Sequence, residues 1–420
     1  MRMPDGYLYL DQAATSWPKP QRVVDAVREA LEGEFGNPGR GSHRAAGRAR
    51  TVIDRARAGA ARLLHEPDVR RIILTPGCTN ALNMAIDAVV TWVERDRAQR
   101  GDRDKLPPKV VTSHLEHNAV GRPVAAMECA GRVRMARAAC DEMGVTDIDD
   151  LVEHVDSTTV LVCVIHASNV TGVIQPIEEI ARRVKEKNPE TLILTDAAQT
   201  TGVIPIDVNT LGVDLLAFGG HKGPHAPTGI GALWIGPRAW PRADSDEGVR
   251  LAGGPCGGTT SSAADRLGDV MPTRLPERFE AGTPNLIACA GLAAALEVEY
   301  DDACVTARLQ HARDLIKPVL ERFADDERVC VVTSAPLKAR TPVVSLAPIA
   351  MCPVEIATIL DASFNIAVRG GMHCSPWTHQ ALGTHENNGA VRVSVCSSCT
   401  PEEVDAFIGA MDEVLASVPA

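Results

Sequence analysis

Short apolar runs alternate with longer helical patterns from about residue 20 to residue 270, and this alternation constrains the fold more than any other feature of the chain. Each run has the length of a buried strand and is followed at once by polar residues. Such a pattern is typical of an α/β domain in which helices cover both faces of a parallel sheet. The predicted strands are Arg71–Leu74, Lys109–Thr112, Val160–Ile165, Thr191–Thr195, Asp214–Phe218 and Gly231–Ile235.

The helical patterns between these runs have apolar residues at a spacing of three to four. They predict helices over Arg44–Leu64, Thr79–Val93 and Pro176–Lys187. Residues 236–273 are rich in Gly, Pro, Asp and Ser and predict a long functional loop.

The pattern changes after Gly282, where two long helical stretches precede short apolar runs and a final helix opened by Thr400 and Pro401. The expected elements are helices Leu286–Tyr300, Val305–Phe323 and Pro401–Leu415 and strands Val329–Thr333, Pro342–Ala347 and Val391–Val395. We therefore predict an N-terminal arm over 1–20 that joins the small domain, a large domain over 21–282 and a smaller α+β domain over 283–420.

Composition narrows the function classes. The 420 residues carry a formal net charge of −11 and only 3% aromatic residues, so neither a basic nucleic-acid surface nor a base-stacking surface is expected. No stretch approaches the roughly 20 apolar residues of a membrane span, and the start of the chain lacks a secretion signal. The 12 cysteines should therefore be reduced thiols in a cytoplasmic protein that acts on a small molecule.

Chemically versatile residues follow the predicted strands, and ligands bind beyond the carboxyl ends of strands in open α/β sheets. The groups expected at this edge are Gly77–Thr79, Glu116–Asn118, His166–Asn169, Asp196–Gln199 and Gly219–Lys222.

A lysine at such an edge could form a Schiff base if burial lowers the pKa of its amine, although most lysines lie in solvent. Asp196 could hold a pyridinium nitrogen protonated, or it could only cap a helix. Gly77, Cys78 and Thr79 could present a helix start to a phosphate, a signal that is weak by itself. Together these residues favour a pyridoxal-phosphate site around Lys222.

Ordered motifs along nearly the whole chain support this interpretation. They are YLDQAATS (9–16), TSHLEHNAV (112–120), SNVTG (168–172), TDAAQTTG (195–202), FGGHKGP (218–224), FEAGTPN (279–285), RGGMHCSP (369–376) and VRVSVC (391–396). In these motifs the chain resembles the pyridoxal-phosphate enzymes of aminotransferase class V, in the branch of cysteine desulfurases and selenocysteine lyases. The resemblance implies the aspartate aminotransferase-like fold (fold type I), pyridoxal 5'-phosphate as cofactor, a homodimer, and L-cysteine or selenocysteine as substrate.

The resemblance also implies residue roles. Lys222 is expected to bind the cofactor aldehyde and to take the substrate Cα proton, with Asp196 on the pyridine nitrogen and His117 on the ring face. Further cofactor contacts are implied for Cys78, Thr79, Asn169, Gln199, His221 and Thr283, the last from the partner subunit of the dimer. Substrate contacts are implied for Ala14, Asn169, Arg369 and Arg392.

Cys374 occupies the position of the nucleophilic cysteine of this family. The resemblance implies that its thiolate attacks the sulfur of bound cysteine, which gives alanine and a persulfide on Cys374. The short loop before Cys374 favours the desulfurases that pass sulfur to an acceptor protein.

One departure from the family pattern concerns the phosphate. Gly219 stands where a Ser or Thr usually offers a hydroxyl, so one ligand is lost unless Thr259, Thr260 or Ser261 replaces it.

Other functions remain open at this stage. A C–S lyase, an epimerase or a class V aminotransferase would share the fold, and a transaminase needs no Cys374. A zinc or redox protein is the remote alternative, because Cys396 and Cys399 form a CxxC pair with His373, His379 and His385 nearby in sequence, although no second CxxC completes a site.

Overall fold

A computed structural model of the chain describes residues 6–38, 41–102, 106–256, 271–297 and 300–417. The strands in these ranges are β1 (Leu8–Tyr9), β2 (Ile72–Thr75), β3 (Lys109–Ser113), β4 (Arg134–Ala138), β5 (Thr159–Ile165), β6 (Leu192–Asp196), β7 (Leu215–Gly219), β8 (Gly231–Ile235), β9 (Val329–Val331), β10 (Val343–Pro348), β11 (Ile366–Ala367), β12 (Arg369–Gly371) and β13 (Ala390–Ser394). The α-helices are α1 (Gln21–Glu32), α2 (Arg44–Leu63), α3 (Cys78–Arg100), α4 (Asn118–Cys129), α5 (Ile148–Glu153), α6 (Ile177–Lys187), α7 (Leu286–Leu296), α8 (Asp302–Phe323), α9 (Pro353–Phe364), α10 (Pro376–Ala381) and α11 (Pro401–Ala416).

The central sheet has seven strands in the order β2-β8-β7-β6-β5-β3-β4. The pairs from β7 to β4 are parallel, whereas β8 is antiparallel to both β7 and β2. The predicted α/β class with a mainly parallel sheet is confirmed. The expectation that β8 continues the parallel series is wrong, because only residues 220–230 separate it from β7 and a parallel crossover needs a dozen or more residues.

Strand β4 was not predicted from the sequence. Its residues, Arg134 to Ala138, lack a continuous apolar run, and all but the last are only half-buried. A strand at the edge of a sheet needs less apolar surface than a central one, so it leaves a weaker signal.

Two apolar clusters hold the sheet, one on each face, and both consist largely of Ala, Val, Leu and Ile. Helix α7 belongs to one of them, since Ala288, Leu292 and Leu296 pack with residues of α2 and β2. We therefore propose that the domain boundary follows α7 rather than residue 283.

The C-terminal residues form a second unit, a four-stranded antiparallel sheet in the order β12-β13-β10-β9 with its own core. The arm joins this unit, because β1 pairs with β11 and Leu10 is buried in the same core. The arm then continues to the large domain, where the N–H and hydroxyl groups of Ser16 donate to the carbonyl of His221. The arm thus bridges the two units beside the sheet edge that carries the polar residues.

No described helix is both long and apolar enough to cross a bilayer.

Candidate active site

A cavity of about 350 Å³ lies at the carboxyl edge of the parallel strands, between the central sheet, the arm and the C-terminal unit. Most of the site residues predicted from the sequence line it, namely Ala14, Cys78, Thr79, His117, Asn169, Asp196, Gln199, His221, Lys222, Arg369 and Arg392. Cys374 is hydrogen-bonded to one of these residues, Arg369. Thr283 is exposed and does not line this cavity within the chain.

Lys222 enters the cavity from the short segment after β7. Burial lowers the pKa of its amine, the nearby Asp196 opposes that shift, and the positive charges of Arg392 and Arg369 add to it. A lowered pKa increases the fraction of neutral amine, which is the form that attacks a carbonyl or accepts a proton.

Asp196 is the last residue of β6 and is only 3% exposed. Its Oδ1 accepts the N–H of Ala198 at 2.9 Å and the thiol of Cys78 at 3.4 Å. Burial, and next the charge of Asp196, raise the pKa of Cys78 well above its usual value, so Cys78 stays a neutral donor. The carboxylate is therefore held in one orientation at the cavity wall.

His117 is the N-cap residue of α4, and its Nδ1 accepts the N–H of Ala119 at 3.0 Å. Burial lowers the pKa of its imidazole to about 4, against an opposing effect of Asp196. The ring is therefore neutral near pH 7, with its proton on Nε2 because Nδ1 accepts.

The start of α3 provides a site for an anion. The N-cap residue, Gly77, makes no side-chain capping bond, and nothing lies within 4 Å of the place where a Cβ would project from it. Free N–H groups at the start of a 23-residue helix favour negative charge, and Thr79 adds a hydroxyl.

The structure explains part of the departure at Gly219. A Cβ there would lie 3.3 Å from Cδ2 of His221, so a Ser or Thr would require the histidine ring to shift by a few tenths of an ångström. The alternative ligands considered in the sequence, Thr259, Thr260 and Ser261, lie outside the described residues.

Two arginines face each other across the antiparallel pair of β12 and β13, since Arg369 is the register partner of Arg392. Arg392 is fully buried and donates to the carbonyl of Asn169 at 2.9 Å and to Asp11 at 2.6 Å. Its Nε has no hydrogen-bond partner among the described residues. Two fixed guanidinium groups at one end of the cavity suit a carboxylate.

Cys374 lies in a tightly held turn. His373 and Cys374 both have left-handed backbone angles, with φ of 51° and 60°, which non-glycine residues rarely adopt. Asn169 holds the turn on both sides, because it donates to the carbonyl of His373 at 2.6 Å and accepts from the hydroxyl of Ser375 at 2.8 Å. The N–H of Asn118 also donates to the carbonyl of Cys374 at 2.9 Å.

Two predicted contacts look different in the structure. The amide of Asn169, expected to reach substrate and cofactor, is engaged with the turn around Cys374. The amide of Gln199 donates to the carbonyl of Ala13 at 3.0 Å and so holds the arm against the cavity. Both side chains nevertheless line the cavity.

Sequence reasoning assigned no role to Asp11 and considered His373 only for the zinc alternative. Asp11 is the ion-pair partner of buried Arg392, and His373 lines the cavity beside Cys374. The first could have been sought from the requirement that a buried arginine has an anionic partner, but its position 381 residues away was not readable from spacing.

The zinc alternative based on Cys396 and Cys399 finds no third ligand in the part of the chain that the structure describes. Among the described residues no group of three or more His, Cys, Asp or Glu side chains could hold a metal ion.

Comparison with known proteins agrees with this geometry. The family model described as aminotransferase class-V matches residues 8–407. A probable cysteine desulfurase of Methanothermobacter thermautotrophicus is 30% identical over 97% of this chain and 94% of the relative. Another of Pyrococcus abyssi is 31% identical over 98% of this chain and 95% of the relative.

Solved structures give the same result. The apo structure of a cysteine desulfurase from Thermococcus onnurineus NA1 superposes with a TM-score of 0.85 at 30% identity, covering 98% of this chain and 95% of that one. The cysteine desulfurase CsdA (S-sulfonic acid) from Escherichia coli has a TM-score of 0.82 at 25% identity, covering 99% of this chain and 96% of that one.

Proposed function

Since the chain belongs to the aminotransferase class-V family and is a pyridoxal-phosphate enzyme, we propose that it is a cysteine desulfurase that converts L-cysteine to L-alanine and keeps the sulfur as a persulfide on Cys374. The observation that carries this proposal is the thiol of Cys374 hydrogen-bonded to Arg369, directly across the strand pair from Arg392. This places a sulfur nucleophile beside the arginines that suit a substrate carboxylate.

The residues of the cavity fit pyridoxal phosphate. Lys222 has the lowered pKa that an aldehyde-binding amine needs, Asp196 is a fixed carboxylate for a ring nitrogen, and His117 is a neutral ring beside them. The uncapped start of α3 at Gly77 and the hydroxyl of Thr79 suit the phosphate. When bound, the cofactor supplies an electron sink for the electrons of bonds broken at the substrate α-carbon.

The residues of the chain then have separate tasks. Lys222 holds the cofactor and, as a neutral amine, accepts the substrate Cα proton. Asp196 would hold the ring nitrogen of the cofactor and favour positive charge there. Arg392 binds the substrate carboxylate, for which Asp11 and the carbonyl of Asn169 fix the guanidinium plane.

Cys374 performs the sulfur step. Its sulfur attacks the sulfur of the substrate, the C–S bond of cysteine breaks, and the S–S bond of the persulfide forms. The β-carbon gains a proton and becomes the methyl group of alanine, so the reaction balances without an external oxidant. Arg369 donates to the attacking sulfur at 3.1 Å, which stabilises negative charge on it.

Two partners belong to this proposal. A homodimer is supported by Thr283, which is exposed and outside the cavity of its own chain, and so is available to a second subunit. A sulfur-acceptor protein is supported by the rigidity of the turn around Cys374, because a persulfide that cannot swing away must be collected where it forms.

The test is to incubate the cofactor-loaded enzyme with L-cysteine and to measure alanine, sulfide and the mass of the tryptic peptide 370–392, in which Cys374 is the only cysteine. One added sulfur atom on that peptide, with alanine, is expected. Cys374→Ala should lose sulfide release and keep the absorbance of the bound cofactor, whereas Cys330→Ala, at an exposed cysteine, should behave like the parent.

The other outcomes contradict the proposal. Sulfide release by Cys374→Ala would indicate a C–S lyase. Turnover of selenocysteine but not of cysteine would indicate a selenocysteine lyase. Alanine without sulfur on Cys374 would leave the fold assignment intact and refute the persulfide step.

A further inference from the structure

Cys396 and Cys399 are not used by the proposed reaction, and they lie at the two ends of one turn. Cys396 follows β13 by two residues, and Cys399 precedes Thr400, the N-cap residue of α11. The N–H of Cys399 donates to the carbonyl of Cys396 at 3.1 Å, which closes the turn and brings the two side chains to the same side.

The turn brings the backbone of Cys396 into contact with the sulfur of Cys399. The N–H of Cys396 donates to that sulfur at 3.5 Å. The hydroxyl of Ser398 lies 3.1 Å from the Cys396 sulfur. Two cysteines at the ends of one closed turn need little backbone movement for their sulfurs to be joined.

Cys396 and Cys399 differ in their exposure to solvent. Cys399 is buried at 7% exposure, whereas Cys396 is half-buried and lines a second cavity, of about 80 Å³, together with Ser397. An external reagent therefore reaches Cys396 first.

The electrostatics agree with this order. The neighbouring Cys399 above all, and Ser398, lower the pKa of Cys396 in spite of burial. The neighbouring Cys396 and burial raise the pKa of Cys399. One accessible thiolate beside one buried thiol is the arrangement of an attacking and a resolving cysteine.

We propose that Cys396 and Cys399 form a redox-active dithiol that a low-molecular-weight disulfide oxidises to an intramolecular disulfide. The Cys396 thiolate attacks one sulfur of the reagent R–S–S–R, which forms a mixed disulfide and releases RS⁻. The Cys399 thiol then loses its proton and displaces the second RS⁻. The protein loses two electrons, and the reagent gains them as it becomes two thiols. The oxidation requires no step of the proposed desulfurase reaction, although Lys222 lines the same second cavity as Cys396.

The chain offers a clean measurement. Residues 393–420 contain no Lys or Arg, so both thiols fall in one tryptic peptide with no other cysteine. The reduced holoenzyme is incubated with oxidised glutathione in the absence of cysteine, alkylated, digested and analysed by mass spectrometry. We expect this peptide to lose both alkylation sites together, at least tenfold faster than the exposed Cys330 reacts with the same reagent.

Two variants separate the roles. Cys399→Ser keeps a hydroxyl that can donate to Cys396 but cannot resolve, so it should accumulate one glutathione on Cys396. Cys396→Ser should leave Cys399 alkylatable after the same treatment. Circular dichroism of both variants reports whether they fold, and the parent protein alone tests the proposal if either does not.

Three results would overturn the proposal. One is a parent protein in which both cysteines stay alkylatable, another is glutathione that remains on Cys396 of the parent without disulfide formation, and the third is a rate no greater than that of Cys330.

Discussion

Nη2 of Arg369 lies 3.1 Å from Sγ of Cys374, and the same arginine stands directly opposite Arg392 in the strand pair of β12 and β13. One short antiparallel ladder therefore fixes both the arginine that suits the substrate carboxylate and the arginine that contacts the attacking sulfur.

Arg369→Met should slow the reaction of Cys374. The variant removes a charged hydrogen bond to the sulfur, of the kind worth about 1.5–3 kcal/mol, so alkylation of Cys374 and persulfide formation should slow about 10- to 100-fold. The rates are measured by iodoacetamide labelling and single-turnover mass spectrometry of the tryptic peptide that holds Cys374. This peptide is 370–392 in the parent and 341–392 in Arg369→Met, which lacks the cleavage site after residue 369, so fragment spectra assign each modification to Cys374 rather than Cys352. Arg182→Met, at an exposed residue of α6, is the control. Equal rates in both variants would remove Arg369 from the sulfur step.

Arg392→Lys should raise KM for L-cysteine by about 100-fold and change kcat less, because an ammonium group cannot replace a planar fork held at two points.

Asp11→Asn tests the support of the Arg392 guanidinium group. Loss of the charge that compensates fully buried Arg392 should reduce the free energy of unfolding by about 3 kcal/mol and raise KM in the same direction. Denaturant unfolding and steady-state kinetics measure both, and an unaffected KM in either variant would contradict the carboxylate role.

Asn169→Ala should loosen the turn around Cys374. Asn169 holds His373 and Ser375 at 2.6 and 2.8 Å, and the left-handed backbone of the turn needs such support. We expect faster hydrogen exchange at residues 373–375 and loss of persulfide formation. Asn169→Asp keeps the acceptor for Ser375 but loses the donor to His373, so it should lie between Ala and Asn. If hydrogen exchange at residues 373–375 is unchanged in Asn169→Ala, Asn169 does not support the turn and contacts only the cofactor and the substrate.

Glu116 should make stability depend on pH. Burial raises the pKa of its carboxyl from 4.5 to about 8, although Ser113 and Ile165 donate to it. Between these values the folded protein binds a proton that the unfolded chain has lost. The contribution of Glu116 to the free energy of unfolding therefore falls as pH rises through this range, by at most about 1.4 kcal/mol per pH unit.

Glu116→Gln mimics the neutral acid and should remove the contribution of Glu116 to the pH dependence of the free energy of unfolding. Denaturant unfolding from about pH 5 to about pH 8, the range between the unfolded and folded pKa values, measures this dependence. Glu178→Gln, at an exposed residue of α6, should keep the parent slope. A parent slope in Glu116→Gln would show that another group titrates.

Thr283 should act in the site of a second subunit. A heterodimer of Lys222→Ala and Thr283→Ala subunits has one intact site if Thr283 serves its partner, and none if it serves its own chain. We expect such heterodimers, purified through two different tags, to exceed the Thr283→Ala homodimer in both activity and bound cofactor. A monomeric parent protein in analytical ultracentrifugation, or no gain on mixing, would refute the assignment.

Local sequence patterns were sufficient to predict the α/β class and the edge of the sheet at which the site lies. Apolar runs of strand length fix which residues are buried, and the residues that end them must then meet at one edge, so Asp196 and Lys222 could be placed together before any coordinates. Cys374 and Arg392 were assigned only from the motif resemblance. They lie far along the chain from Asp196 and Lys222, and no spacing rule links them.

Features that depend on chain reversal and long-range pairing were visible only in the three-dimensional arrangement. The antiparallel direction of β8, the position of α7 on the large domain and the pairing of Asp11 with Arg392 all join segments whose local patterns are compatible with other arrangements. The contact between Arg369 and Cys374 depends on a left-handed turn at a non-glycine residue, which local propensity disfavours and only the surrounding hydrogen bonds stabilise.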